Sequence, residues 1–236
     1  MIKHLTINIF SMENLLDRVH IRLEWPDIVG SSVCDESKVV KEYFAEKLAS
    51  GKPGFAVDIG AADGICHNNC FELYNAPYGW WGVSVDANPR FHEQRSNLFA
   101  NTKVKVCFDA VGTKNAFVKF RQDSKNIGHS AVNPSGNIEI RSWHINDFLK
   151  DYKVPYTVEF VSIDVEGLER SILEQWDFDT WKPQLFCVEK GYQFKHIFLQ
   201  NGYTAYNGNG KDANGYKICH GNTFFYLEGT WPQQKD

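Results

Sequence analysis

The chain has 236 residues, 43% hydrophobic and 23% charged, which excludes a disordered or fibrous protein and fits one hydrophobic core with an added N-terminal segment. A formal charge of −4 and a pI near 6.1 disfavour nucleic acid as a partner, since a long polyanion selects a basic face. No apolar run reaches the roughly 18 residues of a membrane span, and the N-terminal MIKHLTINIFSMENLLDR lacks the apolar core and cleavage site of a secretion signal.

Residues 1–34 carry no readable pattern, broken as they are by Trp25-Pro26 and Gly30-Ser31-Ser32. From Asp35, DESKVVKEYFAEKLA opens with residues suited to an N-cap and sets Val39, Val40, Tyr43, Phe44 and Leu48 at near-helical spacing. Residues 1–50 are therefore expected to form an N-terminal helical extension of a domain over 51–236. Strands and helices then alternate. Strands are expected at FAVDIG (55–60), GVSVDA (82–87), VKVCFDAVG (104–112), EFVSIDVEG (159–167) and QLFCVEK (184–190). Helices are expected around Phe71 and Leu73, over Arg90–Phe99, at INDFLKDY, at LERSILEQW and over Phe194–Leu199. The stretch from Thr113 to Ile140 is rich in Asn, Gly and Ser, with short strands such as AFVKF. Alternating βα units predict a doubly wound α/β fold, a seven-stranded, mostly parallel sheet with helices on both faces. The last two strands, YTAYN (203–207) and TFFYL (223–227), have no helix between them and are expected as an antiparallel hairpin at the sheet edge.

The chemistry concentrates at the strand ends. Asp58-Ile59-Gly60-Ala61-Ala62-Asp63-Gly64 is a strand, a glycine turn and a helix start, which lets a ligand approach the backbone closely. A purely structural turn is the competing reading. Asp86, with Ala87 and Asn88 behind it, ends the second strand where doubly wound folds place an acid for ribose hydroxyls. Nicotinamide enzymes share that acid, but their glycine fingerprint differs from G-A-A-D-G, and the extra charge of Asp63 ill suits a pyrophosphate. It suits a sulfonium and an amine, so S-adenosylmethionine is the expected cofactor. Asp109 and Ala110 end the third strand, where an adenine amino group can be received; a solvated acid is the alternative. Asp164 and Glu166 are separated by one residue and share a direction on extended chain, unless both serve only as acids at a helix start.

Taken together, GFAVDIGAADGICHNN, YGWWGVSVDANP, DAVG, NIGHSAV, FVSIDVEGLERSILEQWDF, LFCVE and LQNGYTAY resemble the ordered motifs of the FkbM family of methyltransferases, from about residue 55 to 206. The resemblance implies a class I Rossmann-like methyltransferase fold, S-adenosylmethionine as donor, and O-methylation of a sugar, glycan or small natural product. On that pattern the loop 58–64, with Asn69 after it, takes the methionine part of the cofactor. Asp86 takes the ribose, Asp109 and Ala110 frame the adenine, and Asp164 closes the site near the sulfonium. Lys190-Gly191 departs from the family's His-Asn type pair after Glu189.

Other readings compete. His129, in a Gly-rich loop, is a candidate general base beside Asp164 and Glu166, since a weakly acidic hydroxyl benefits from proton removal. A loop histidine bonded to backbone is its plainer reading. Cys66, His67 and Cys70, with Cys219-His220, offer an incomplete zinc pattern, and no metal is expected. The six cysteines, several inside apolar runs, read as buried thiols of a cytoplasmic protein. A catalytically silent nucleotide-binding module and an RNA ribose or cap methyltransferase are the alternatives in function. Oligomeric state has no signature in the sequence.

Overall fold

A computed structural model describes residues 33–65, 68–123, 130–206 and 221–231, with the side chains of residues 33–35 left aside. Helix α1 (Val33–Tyr43) and the short α2 (Ala45–Ala49) precede the first strand. The chain continues through β1 (Phe55–Ile59), α3 (Phe71–Tyr74), β2 (Trp81–Val85), α4 (His92–Phe99), β3 (Val104–Cys107) and β4 (Ala110–Gly112). Three more strands follow, β5 (Ala116–Arg121), β6 (Ala131–Val132) and β7 (Ile138–His144). The last part alternates again: α5 (Ile145–Asp151), β8 (Phe160–Ile163), α6 (Glu169–Gln175), β9 (Leu185–Glu189), α7 (Lys195–Gln200), β10 (Tyr203–Ala205) and β11 (Asn222–Leu227).

Seven strands form the main sheet in the order β10-β11-β9-β8-β1-β2-β3. Neighbours from β3 to β9 are parallel, as crossover helices dictate, while β11 lies antiparallel between β9 and β10. The doubly wound, mostly parallel sheet with a closing antiparallel hairpin is therefore the observed fold. One refinement concerns the edge: β10 is outermost, and β11, the last strand in the chain, is inserted between it and β9.

Because side chains alternate across a strand, each central strand feeds two cores. Val57 and Ile59 of β1, Val161 and Ile163 of β8 and Phe225 of β11 point to one face, against Phe148, Leu149, Ile172, Leu173 and Phe198. Phe198 and Phe225 stack with ring centroids 3.8 Å apart. Ala56, Phe160, Leu185 and Phe224 point to the other face, where Val39, Val40, Tyr43 and Phe44 of the N-terminal helices join Trp80 and Tyr74. Helix α1 thus seals one face of the sheet. Trp80, Trp176 and Trp181 are buried in these cores, whereas Trp81 is exposed.

The expected single strand over 104–112 is corrected. It breaks at Phe108-Asp109, so that β3 ends the main sheet and β4 starts a second, four-stranded sheet in the order β4-β7-β5-β6. Asp109 is the one turn-favouring residue at the break, and it is held from 34 residues away, where the Trp143 indole donates to Asp109 Oδ2 at 2.8 Å. This second sheet, unforeseen apart from AFVKF, leans over the C-terminal ends of the main strands, and its Phe120 and Val132 reach the cavity there.

Candidate functional site: the crevice at the strand ends

The C-terminal ends of β2, β1 and β8 are laced together by main-chain bonds. Gly60 and Ala61 N–H donate to the Val85 carbonyl at 2.9 and 3.0 Å, and Asp164 N–H donates to the Ile59 carbonyl at 2.8 Å. Gly60 has φ +88°, and a Cβ there would fall 1.6 Å from the Asp164 carbonyl oxygen. Only glycine permits this approach. Ala62 also takes a left-handed conformation, φ +46°, which turns its N–H toward Asp86.

Asp86 is held from two sides: Ala62 N–H donates to Oδ2 at 2.8 Å and Asn88 N–H donates to Oδ1 at 2.7 Å. Burial pushes its carboxyl up, while the Asn88 N–H, Arg95 and the Ala62 N–H pull it back toward the charged form. Behind it, buried Arg95 donates to the carbonyls of Asp86 (3.1 Å), Cys107 (3.2 Å) and Ser84, and to Ser84 Oγ at 3.1 Å. One guanidinium therefore fixes the ends of β2 and β3.

These ends open into a cavity of about 590 Å³, within the size range of small-molecule sites. Its wall includes Gly60, Ala62, Asp63, Asp86, Ala87, Asn88, Asp109, Ala110, Asp164 and Glu166, so most residues singled out from the sequence converge there. Asp63 Oδ1 accepts from Ile65 N–H at 2.9 Å, closing the loop. Asp58, Ala61, Gly64 and Asn69 do not line it. Asp58 is buried below the loop, accepting from Asn68 Nδ2 at 2.5 Å, and its carboxyl is pushed up to about 7, chiefly by burial. Ala61 is buried and its carbonyl accepts from Asn68 Nδ2 at 3.2 Å. Gly64 packs on Leu98 and Phe99. Asn69 Nδ2 donates to Ser162 Oγ at 3.0 Å and to Cys187 Sγ at 3.4 Å, tying the loop to β8 and β9. His129 lies outside the described residues, as do Cys66, His67, Cys219 and His220.

Asp164 and Glu166 do meet, though not on an extended strand: β8 ends at Ile163, and Glu166 turns back with φ +57°. The turn is held by buried Glu169, whose carboxylate accepts from Val165 N–H at 2.9 Å and from Gly167 N–H at 3.0 Å. Burial, and then the charges of Glu189, Glu166 and Glu169, push the Asp164 carboxyl well above the usual carboxylate range.

Among the wall residues that escaped the sequence reading as site residues are Glu36 of α1, Glu189 of β9, Asn222 of β11 and the apolar Phe120 and Val132 of the second sheet. Only Glu189 carried a signal, as the acid ending a strand. The described wall carries seven acids (Glu36, Asp63, Asp86, Asp109, Asp164, Glu166, Glu189) and no Lys, Arg or His. Such a wall repels pyrophosphate and accommodates positive charge.

A cofactor with a ribose, an aromatic base and a sulfonium suits these groups. The Asn88 Nδ2 atom is buried, on the wall and without a partner among the described residues, while Asn88 Oδ1 accepts from Gln122 Nε2 at 2.9 Å. It is an oriented donor awaiting an acceptor.

Among solved structures the chain is similar to the O-methyltransferase of Bacillus cereus in complex with SAH, at 11% identity and a TM-score of 0.45 over 87% of this chain and 96% of that one. It is similar also to the O-methyltransferase TomG of Streptomyces achromogenes in complex with SAM (11%, TM-score 0.44, 89% and 96%). A third likeness is to the precorrin-6y C5,15-methyltransferase of Geobacter metallireducens (13%, TM-score 0.42, 80% and 85%). No curated protein sequence matches it. The Methyltransferase FkbM domain matches residues 58–209, a span that runs from Asp58 through the strand ends to the chain beyond β10, and the chain belongs to the FkbM family of S-adenosylmethionine-dependent methyltransferases.

Proposed function

We propose that the chain transfers a methyl group from S-adenosylmethionine to an oxygen of a sugar, glycan or small natural product. The observation that carries the reading is the convergence of Asp86, Asp109 and Asp164, from the ends of β2, β3 and β8, on one cavity beside the Gly60 loop. In open α/β sheets that crevice is where ligands bind.

S-adenosylmethionine, when bound, supplies a methyl group already activated on a positively charged sulfur. The work left to the chain is placement. Asp86, pinned by Ala62 and Asn88, presents its remaining lone pairs to the ribose hydroxyls, and Asn88 Nδ2 supplies a donor next to it. Asp109, anchored by Trp143, takes the adenine amino group, with Phe91, Val111, Phe120 and Val132 as apolar walls for the ring. Ala62 and Asp63 face the methionine end. Asp164 and Glu166 lie where an acceptor must come in line with the methyl, and this alignment supplies most of the acceleration. Proton removal from a hydroxyl falls to Glu166 or Asp164, whichever carboxylate accepts the hydroxyl proton.

Calorimetric titration of the chain with S-adenosylmethionine, S-adenosylhomocysteine and NAD tests the cofactor. Micromolar binding of the two sulfur compounds without NAD is expected, followed by S-adenosylhomocysteine release with a member of a hydroxyl acceptor panel. Silence toward both sulfur compounds from the folded chain would instead make it an inert interaction module.

A further inference from the structure

At the far end of the cavity from Asp86, β9 ends in Glu189 and β11 begins at Asn222, which pair directly across the two strands. One carboxylate oxygen from each of Asp164, Glu166 and Glu189 lies within 4.8 Å of the other two, all three side chains being half-buried. The Asn222 side chain is 8% exposed and on the same wall. Its Nδ2 donates to Glu36 Oε1 at 2.5 Å, which fixes the amide so that Oδ1 is the other atom. That Oδ1 has no partner among the described residues, and neither has Glu189 Oε2. Two acceptor oxygens of this wall are thus buried without the donor that a buried acceptor requires.

We propose that Asp164, Glu166 and Glu189, with Asn222 Oδ1 as the neutral oxygen beside them, form a binding site for a hard divalent cation of the Mg²⁺, Mn²⁺ or Ca²⁺ type. Among the described residues the ligand set is oxygen only, with no His or Cys, which selects these ions over zinc. The charge favours it as well: three carboxylates against the single Lys190 ammonium, which sits 2.5 Å from Glu189 Oε1, leave an excess of negative charge that a divalent ion reduces. Like charges held this close repel one another, and a cation among them relieves that repulsion. The incomplete zinc pattern around Cys66 is a different place in the chain. The cation site stands whether or not the acceptor is a hydroxyl, because its occupancy is read with the metal alone.

The test is titration of the chelator-treated, full-length chain with Mn²⁺, counting bound ion by loss of the free Mn²⁺ electron paramagnetic resonance signal. One ion per chain is expected, displaced by Mg²⁺ or Ca²⁺ in excess. Asp164→Asn and Glu189→Gln should each weaken it by about tenfold or more, Asn222→Ala by a smaller factor, and the remote Glu139→Gln not at all. Without metal, Glu189→Gln should melt above the unaltered chain, because a like charge is removed; that result also certifies its fold. Mn²⁺ bound equally by the Asp164 and Glu189 variants, or not bound by a chain that melts cooperatively, overturns the site. Protection from melting by methylammonium but not by Mn²⁺ would likewise overturn it, assigning the acids to an amine-bearing acceptor.

Discussion

At Gly60 the strand-end loop of β1 runs so close to β8 that a single added carbon would lie 1.6 Å from the Asp164 carbonyl oxygen. Gly60→Ala must therefore move backbone as well as adopt φ +88°, and a loss of at least about 3 kcal/mol is expected by urea unfolding. A near-neutral effect would mean that the two loops are not in contact. Asp86 is a different case, because asparagine preserves its shape and keeps an oxygen for one of its two N–H donors. If Asp86 takes the ribose as proposed, Asp86→Asn removes the charge from those bonds, each worth roughly 1.5–3 kcal/mol, so cofactor affinity should fall by roughly 10- to 100-fold. Equal affinity in calorimetry would place the ribose elsewhere. Both residues were legible in the sequence through their spacing from a glycine turn. Asn88 Nδ2 and Glu169 were less so, since what they do depends on Gln122 and on the fold of the 164–167 turn, which spacing does not reveal.

The elements themselves were legible where local pattern and tertiary role agree. Apolar runs ending in acids gave the central strands, and near-helical spacing of Val39, Val40, Tyr43 and Phe44 gave the helix that covers one face. The run 104–112 misled because its break is a tertiary event: Trp143 holds Asp109, and β4 pairs with β7 rather than β2. Helix α4 shows the same limit. Its sequence reads as polar, yet Arg95 is wholly buried and gathers the carbonyls of Ser84, Asp86 and Cys107. Arg95→Met would orphan those carbonyls at the ends of β2 and β3 and leave the nearby acids uncompensated. A loss of about 3–5 kcal/mol is expected, or on the order of 10 °C in melting temperature for a chain of this size. Cofactor affinity should fall with it, as Asp86 and Asp109 lose their common anchor. An unchanged melting temperature would show that the arginine is not the anchor.

Over the whole molecule, the described acids of the crevice come from α1, β9 and the loops after β1, β2, β3 and β8, and their convergence is a property of the assembled sheet. Glu36 and Asn222 stand 186 positions apart, joined by one hydrogen bond; no window of sequence contains both. The consequence is a fold whose stability carries a pH signature. Asp58, buried beneath the loop, has its carboxyl pushed up to about 7 from 3.8, by burial first, with Asn68 and Arg95 opposing and Asp86 adding. Between about pH 4 and about pH 7 the folded chain keeps a proton there that the unfolded chain releases. Stability therefore falls as pH rises through that window and levels above it. At about 1.4 kcal/mol per pH unit the whole effect is at most about 4 kcal/mol, less whatever the loop recovers by admitting water. Asp58→Asn keeps an oxygen for Asn68 Nδ2 and removes the titration. Urea unfolding from about pH 5 to about pH 8 should show a shallower decline in the variant, which ends more stable than the unaltered chain at the alkaline end. The slope is reduced rather than abolished, because Asp164 titrates with the same sign. Parallel curves for the two chains would locate the pH dependence entirely at the crevice acids and leave Asp58 ionised in its pocket, held by Asn68 and Arg95.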